Sequence, residues 1–452
     1  MEAINTILTR MHTNAAKPAL FWKEREYSYT DFFHLIHQWD IYFDEHHIQV
    51  GTVCGVVGDF SPQICALFFA LMIKRCIIVP FSPEVKAEMP GFLKIAGVQK
   101  LFRFDSNDEW TLEPISGLTL IPLENELLSS FRTTQMPGLI VFTSGSTGKP
   151  KGILHSCERI MKKFVLPRQG WRTILFLMMD HFGGFNTFLS AFAYGGTAIC
   201  VPQRNPGDVC RVIEQSKADL LPTTPTFLNM LVASGSHKTF DLSSLKLISY
   251  GTEVMPESTL KKIRAVFPTI TFKQTYGLSE LGVLRSQSQS DDTAWVKIGG
   301  PGFEVKVLDN ILWVRSEANM IGYLNAPQPI DPDGWMCTGD HVEVRGDYMR
   351  IIGRKSEAIN VGGKKVFPIE IESVLLKADN VIEAAVFASQ HPLMGQVVHA
   401  KVSLAKPENP IELSERLRTF CVTQLARYKV PVKFRVVPLE ELRSLRFKKL
   451  RG

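Results

Sequence analysis

Apolar and polar positions change period along the chain. Over residues 61–74 the apolar side chains recur at helical spacing, and Cys76-Ile-Ile-Val-Pro80 follows as a run of strand length. The same alternation returns downstream. Residues 139–143 form a short apolar run that ends in a glycine-rich loop. The turn signal Asn205-Pro206-Gly207 opens a helical pattern over 208–215, which leads to a short strand over 219–222. A further strand over 245–249 and a helix over 256–267 follow. This order predicts an α/β fold of layered, largely parallel sheets and helices. The most apolar stretch, 64–81, is interrupted by Lys74 and Arg75. It is too short and too charged for a membrane span and reads as a buried helix feeding a strand.

At 452 residues the chain is long enough for two or three lobes. A composition 45% apolar and 21% charged is that of a globular protein. The net charge of +6 is mild for this length and argues against a dedicated nucleic-acid binder. The eight cysteines show no Cys-x-x-Cys spacing, which favours reduced, buried thiols over a zinc site or a disulfide framework. Residues 1–13 lack the pattern of a signal peptide, so a cytoplasmic location is expected.

Charge is unevenly spread. Residues 354–452 carry 18 basic and 10 acidic side chains, against 33 and 35 over 1–353. A small basic C-terminal lobe, 354–452, on a near-neutral N-terminal lobe, 1–353, is the domain division this predicts. Its charge suits a phosphate-bearing ligand held between the lobes, and equally a solvated basic surface.

The strongest chemical signal is Thr143-Ser-Gly-Ser-Thr-Gly-Lys-Pro-Lys-Gly152. Glycines let backbone N–H groups approach an anion, hydroxyls donate to phosphate oxygens, and lysines supply charge. The spacing is not that of a P-loop, because Pro150 follows Lys149, and a P-loop kinase or NTPase is disfavoured.

This segment resembles the phosphate loop of the adenylate-forming enzymes: acyl-CoA synthetases, peptide-synthetase adenylation domains and luciferases. Three more segments match in the same order. Tyr276-Gly-Leu-Ser-Glu280 is similar to the family's tyrosine-glycine-x-threonine-glutamate motif, with serine for threonine. Asp333-Gly-Trp-Met-Cys-Thr-Gly-Asp340 resembles its ribose-binding motif. The run from Gly353-Arg354 through Gly362-Gly363 to Glu372 resembles its hinge and the hairpin after it, with Ser356 where aspartate or lysine is usual. The resemblance implies a large N-terminal lobe and a small α+β C-terminal lobe that rotates about the hinge.

It also implies roles for named residues. Thr143, Ser144, Gly145, Ser146, Thr147, Gly148, Lys149 and Lys151 would hold the phosphates of ATP. Gly251, Thr252 and Glu253 would line the purine, with Tyr276, Gly277 and Ser279 alongside. Asp340 would accept the ribose hydroxyls, and Arg354 would offer a fixed charge to ribose or phosphate. Glu280 would hold Mg²⁺, a hard cation that prefers oxygen ligands. His181 sits where relatives gate the carboxylate. In the tail Leu442-Arg-Ser-Leu-Arg-Phe-Lys-Lys-Leu-Arg451, spacing to Arg451 puts the catalytic lysine at Lys448, with Lys449 as the alternative and Phe447 where the family has glycine.

Amino-acid-activating members tend to carry aspartate after the gating aromatic, and here the residue is Phe182. An unpaired ammonium would be costly to bury there, which favours an acid without an α-amine. Phe182, Phe185, Phe227 and Leu278 would suit an aryl or medium-chain acyl group. The implied activity is ATP-dependent carboxylate ligation through an acyl-adenylate. The acyl group then passes to a thiol near Gly362 and Gly363, on coenzyme A or on a carrier protein that a basic lobe would attract. The length is that of compact members such as o-succinylbenzoate ligases. A non-catalytic nucleotide-binding protein is the contrasting expectation, resting on the altered tail.

Overall fold

The computed structural model of the chain describes residues 1–115, 125–144, 149–290, 293–392, 394–444 and 448–451. Four large sheets and one two-stranded sheet organise the described residues. Two seven-stranded sheets form the N-terminal body, each with a parallel centre. One runs in the order Thr271–Gln274, Leu247–Tyr250, Leu220–Thr223, Arg172–Leu175, Thr197–Cys200, Pro18–Trp22, Arg25–Ser28, and only its last pair is antiparallel. The other centres on Gly138–Ser144, Ile77–Phe81, Val53–Val57 and Lys100–Phe104, with antiparallel strands at both edges.

Helices Pro62–Ile73 and Phe182–Ala193 lie between these sheets. Each has ten of its twelve residues buried, which is why neither shows a polar outer face. Phe68 and Phe69 meet Phe185, Phe188 and Phe192 with ring centroids 5.3–5.6 Å apart. The second helix comes close to the chain before it. A Cβ on Gly184 would stand 2.0 Å from the Met178 carbonyl oxygen.

The helices and strands expected from the apolar pattern appear within two residues of their predicted ends: Pro206–Ser216, Leu220–Thr223, Leu247–Tyr250 and Glu257–Val266 among them. Seven of the eight cysteines are buried. The largely parallel picture holds for the two central sheets alone. Residues 286–354 form a six-stranded antiparallel sheet, and the C-terminal sheet is antiparallel apart from the pairing of Lys433–Val436 with Gly395–Leu404. Hairpin strands with one wet face carry no long apolar run, so the alternation signal missed them. The C-terminal sheet packs on helices Pro368–Leu375 and Pro410–Gln424 around a core of its own. Among the described residues no helix is long and apolar enough to cross a membrane.

Candidate active site

Two cavities, about 760 and 640 Å³, meet where the C-terminal lobe rests on the N-terminal body. Thr252, Tyr276, Gly277, Arg354 and Lys448 line both. Segments that lie far apart in sequence supply the walls.

The hairpin of Gly138–Ser144 and Pro150–Ser156 pairs Thr143 with Lys151, and both side chains line the larger cavity. Gly145, Ser146, Thr147 and Gly148 lie outside the described residues, as does Phe447, and of Ser144 only the backbone is described. Lys149 is exposed, and the Lys151 ammonium lies 4.8 Å from the centre of the Tyr323 ring.

Asp340 and Arg354 stand opposite each other because strands Trp335–Arg345 and Tyr348–Arg354 pair in that register. Arg354 Nε donates to Asp340 Oδ1 at 3.0 Å, and the Tyr276 hydroxyl donates to Oδ2 at 2.6 Å. The carboxylate is nearly buried, yet it borders the smaller cavity with lone pairs to spare for further donors. Burial, and next the charge of Asp340, push the Tyr276 phenol well above its ordinary range, so it remains a donor. Gly251 and Thr252 follow the strand Leu247–Tyr250 and line the larger cavity. Thr252 has φ of 68°, a left-handed conformation costly for a β-branched residue.

Glu280 and Ser279 border the same cavity. The Tyr323 hydroxyl donates to Glu280 Oε1 at 2.7 Å and aims the carboxylate. The Ser279 carbonyl accepts from His155 Nε2 at 2.7 Å. An oriented carboxylate oxygen on the cavity wall is the hard donor a magnesium ion requires, so Glu280 fits that ion.

His181 caps the helix Phe182–Ala193: its Nδ1 accepts from Gly183 N–H at 3.1 Å. That assignment puts the ring proton on Nε2, which lies 3.2 Å from Lys448 Nζ. Two N–H-bearing groups therefore converge on one point of the cavity.

The tail that brings Lys448 there is a small hairpin. Ser444 N–H donates to the Lys448 carbonyl at 2.7 Å, and Leu450 N–H to the Leu442 carbonyl at 2.9 Å. Its next residue is buried in acid. Lys449 Nζ is 2.8 Å from Glu383 and 3.4 Å from Glu372, and Arg451 grips Glu372 through Nε and Nη2 at 2.8 and 3.0 Å. Burial would lower Lys449; Glu372 and Glu383 reverse this and hold it above its ordinary value. Burial would likewise raise Glu372, and Lys449 and Arg451 outweigh it. Lys448 borders the larger cavity, whereas Lys449 borders only the smaller one and is locked in ion pairs.

Glu253, expected beside the purine, lines the smaller cavity with Asp340 and Tyr276, and accepts from the Lys449 N–H and from Thr226 Oγ1, the latter at 2.7 Å. Burial pushes its carboxyl up despite those bonds. In this arrangement it fastens the tail to the N-terminal body.

The acyl wall needs correction. Phe182 and Leu278 line the larger cavity, but Phe185 and Phe227 do not. Phe185 is fully buried against Phe68, and Phe227 packs on Phe176 at 4.3 Å in the core behind the sheet. Their place is taken by Asn186, Thr187 and Ser190, a polar stripe the sequence reading passed over. Polar residues one helical turn apart in an otherwise apolar helix were the available signal.

Gly362 and Gly363 border neither cavity. They form the two-residue turn between Ile359–Val361 and Lys364–Val366 with φ of 54° and 84°, the left-handed pair that a type I′ hairpin demands.

Residues 9–324 match the model of the AMP-binding enzyme family, and 370–445 that of the AMP-binding enzyme C-terminal domain. The chain belongs to the AMP-binding enzyme family. Among its relatives is the indoleacetate–CoA ligase of Aromatoleum aromaticum, 31% identical over 68% of this chain and 64% of the relative. Another is the 3-[(3aS,4S,7aS)-7a-methyl-1,5-dioxo-octahydro-1H-inden-4-yl]propanoyl:CoA ligase of Rhodococcus jostii, 29% identical over 66% and 61%. The match thus spans less than two thirds of the length of these curated relatives. Solved structures share the fold nearly end to end. The anthranilate CoA ligase AuaEII in complex with anthranoyl-AMP superposes with a TM-score of 0.82, covering 99% of this chain and 95% of that one at 19% identity. The o-succinylbenzoate CoA synthetase of Bacillus subtilis in complex with its acyl-adenylate gives 0.78, with 99% and 97% covered at 20% identity.

Proposed function

We propose that this AMP-binding enzyme is an ATP-dependent carboxylate ligase that transfers the activated acyl group to coenzyme A. The observation that carries the reading is the meeting of Lys448 Nζ and His181 Nε2, 3.2 Å apart, at one wall of a cavity that reaches to Arg354, the partner of Asp340. A nucleotide whose ribose sits at Asp340 would place its α-phosphate near that point. A carboxylate oxygen accepting from Lys448 and His181 would stand beside the same phosphorus.

In the first step the carboxylate attacks the α-phosphorus and pyrophosphate leaves. Lys448 stabilises the negative charge shared by the attacking oxygen and the phosphoryl group. Lys151 and Thr143 face the departing phosphates. Glu280 would hold magnesium, which supplies charge neutralisation of those phosphates when bound. In the second step the thiol of coenzyme A displaces AMP. The C-terminal lobe, 354–452, turns at Arg354-Lys355-Ser356 and brings the hairpin of Gly362 and Gly363 to the acyl group. The acid is an aryl or medium-chain acid without an α-amine, a choice supported by Phe182 on the cavity wall. A reducing, cytoplasmic setting agrees with the buried thiols.

ATP–pyrophosphate exchange over a panel of carboxylic acids tests the ligase reading. Lys448→Ala should reduce exchange about 100- to 1,000-fold, the usual effect of removing a preorganised charge from a transition state. Thioester formation from supplied acyl-adenylate should stay within about threefold. Equal loss in both half-reactions, or a larger exchange loss from Lys449→Ala than from Lys448→Ala, would overturn the assignment.

A further inference from the structure

The strand Pro150–Ser156 brings Lys151 to the larger cavity, and further along it stands a histidine, His155. Alternation along the strand puts Lys151, Ile153 and His155 on one face. The short strand Gly322–Tyr323 pairs beside it with Tyr323 opposite Ile153, so the Tyr323 ring stands on that face too. Three bonds run from this strand pair and the residue Met320 just before it to the segment 279–280. His155 Nε2 donates to the Ser279 carbonyl at 2.7 Å, the Tyr323 hydroxyl to Glu280 Oε1 at 2.7 Å, and Met320 N–H to the Glu280 carbonyl at 2.8 Å. The His155 ring also lies 4.8 Å, centre to centre, from the ring of Phe182 on the acyl wall.

His155 is fully buried and borders neither cavity. Its chemistry is unusual for a packing residue. Burial keeps the ring neutral, and with a carbonyl at Nε2 the one proton sits there. Nδ1 is then a bare lone pair, and among the described residues no group donates to it. A buried acceptor without a donor costs stability that an apolar side chain would not cost. What the ring supplies, and leucine could not, is one N–H aimed at the Ser279 carbonyl. That carbonyl belongs to the peptide joining Ser279 to Glu280, so the bond fixes the plane from which the Glu280 side chain leaves.

We infer that His155 is a positioning residue for adenylation, holding the Glu280 carboxylate in a fixed relation to Lys151 through the Ser279 carbonyl. This rests on the ligase reading above, in which Glu280 would hold magnesium, and adds the residue that sets its aim. Tyr323 orients the carboxylate end and His155 the backbone end of the same side chain. Lys151 shares a strand with His155, so the phosphate-facing ammonium and the carboxylate are referred to one rigid element.

Three variants of the full-length protein test it, each checked for a wild-type circular dichroism spectrum. His155→Met fills the space without the N–H. His155→Gln places an amide N–H near the position of Nε2, and His155→Asn is polar but too short to reach the carbonyl. For Met and Asn, kcat in ATP–pyrophosphate exchange should fall about tenfold, the scale of one lost hydrogen bond, with KM for the acid within about twofold of wild type. The magnesium concentration for half-maximal rate should rise about fivefold, again within the reach of one hydrogen bond. Calorimetry adds a readout that needs no turnover. ATP affinity without Mg²⁺ should match wild type, because the Asp340 contact is untouched, while the gain in affinity on adding Mg²⁺ shrinks. His155→Gln should restore every one of these values to near wild type. If the Met variant does not fold, the contrast between Gln and Asn carries the same test. Met and Asn variants indistinguishable from wild type, a Gln variant impaired as much as Asn, or metal-free ATP affinity falling in step with the rate would each overturn the inference. Wild-type protein without exchange on any acid overturns the ligase reading, and the calorimetric contrast between Gln and Asn then decides whether His155 aims Glu280.

Discussion

Replacing Glu372 by glutamine probes how the tail holds Lys448. Glu372 is fully buried and accepts from Lys449, from two nitrogens of Arg451 and, at 3.0 Å, from Val386 N–H. Glutamine keeps the volume and one acceptor for Val386, but it removes the charge and turns an NH₂ toward two cations. Breaking a buried ion pair from one side costs about 3–5 kcal/mol. Here the lower figure applies, because Lys449 retains Glu383 at 2.8 Å and Arg451 retains Glu357 at 2.9 Å. About 3 kcal/mol, falling on the docked tail, is about two decades in its equilibrium constant. Pyrophosphate exchange should therefore drop at least tenfold. Thioester formation from supplied acyl-adenylate, which by the proposal does not use Lys448, should change less than threefold. Both rates are read on protein whose circular dichroism matches wild type. Exchange within twofold of wild type, or an equal fall in both half-reactions, would refute the idea that the ion pairs position Lys448.

Two further outcomes are expected. Asp340→Ala should weaken ATP binding with and without Mg²⁺, whereas Glu280→Ala should raise the magnesium requirement; identical behaviour of the two in calorimetric titrations would dismiss their separate roles. His155 is buried with its Nε2 on the Ser279 carbonyl, and burial lowers it from 6.5 to about 4. The unfolded chain then binds the extra proton first, so stability is full above about pH 6.5 and falls as pH drops toward 4. The loss is about 3 kcal/mol at ~1.4 kcal/mol per unit, and His155→Gln should flatten that part of a urea-denaturation profile against pH.

The parts of the fold that were legible in advance are those buried on all sides. The helix Pro62–Ile73 and its strand Ile77–Phe81 carry a strong apolar signal because the helix lies between the two sheets and the strand is buried on both faces. The antiparallel sheet over 286–354 was not legible, since its strands alternate with solvent and are short. At the site, the motifs picked out Asp340, Tyr276, Glu280 and Arg354, and all four border the two adjoining cavities. Composition could not separate Phe182, which faces the cavity, from Phe185 and Phe227, which face away. Residues three apart on a helix lie on nearly the same face, so spacing alone cannot separate Phe182 from Phe185, and only the packed partners do. The same applies to Lys448 and Lys449: adjacent and chemically alike, they are told apart by Glu372 and Glu383, which come from elsewhere in the chain.

The salt-bridged tail also bears on how easily the lobe can swing. Among the described residues, every ion-pair partner of the Lys449 and Arg451 side chains (Glu357, Glu372 and Glu383) belongs to 354–452 itself. Across the parting line run the bond from Lys449 N–H to Glu253 and those from Asn229 Nδ2 to Glu383 and the Ile382 carbonyl. For the rotation proposed above, these ion pairs would therefore travel as cargo and need not be separated. What must be undone is a handful of hydrogen bonds, each about 1 kcal/mol net and a little more where a carboxylate accepts. Such a seam can hold the lysine in place for one reaction and still let go of it within a catalytic cycle.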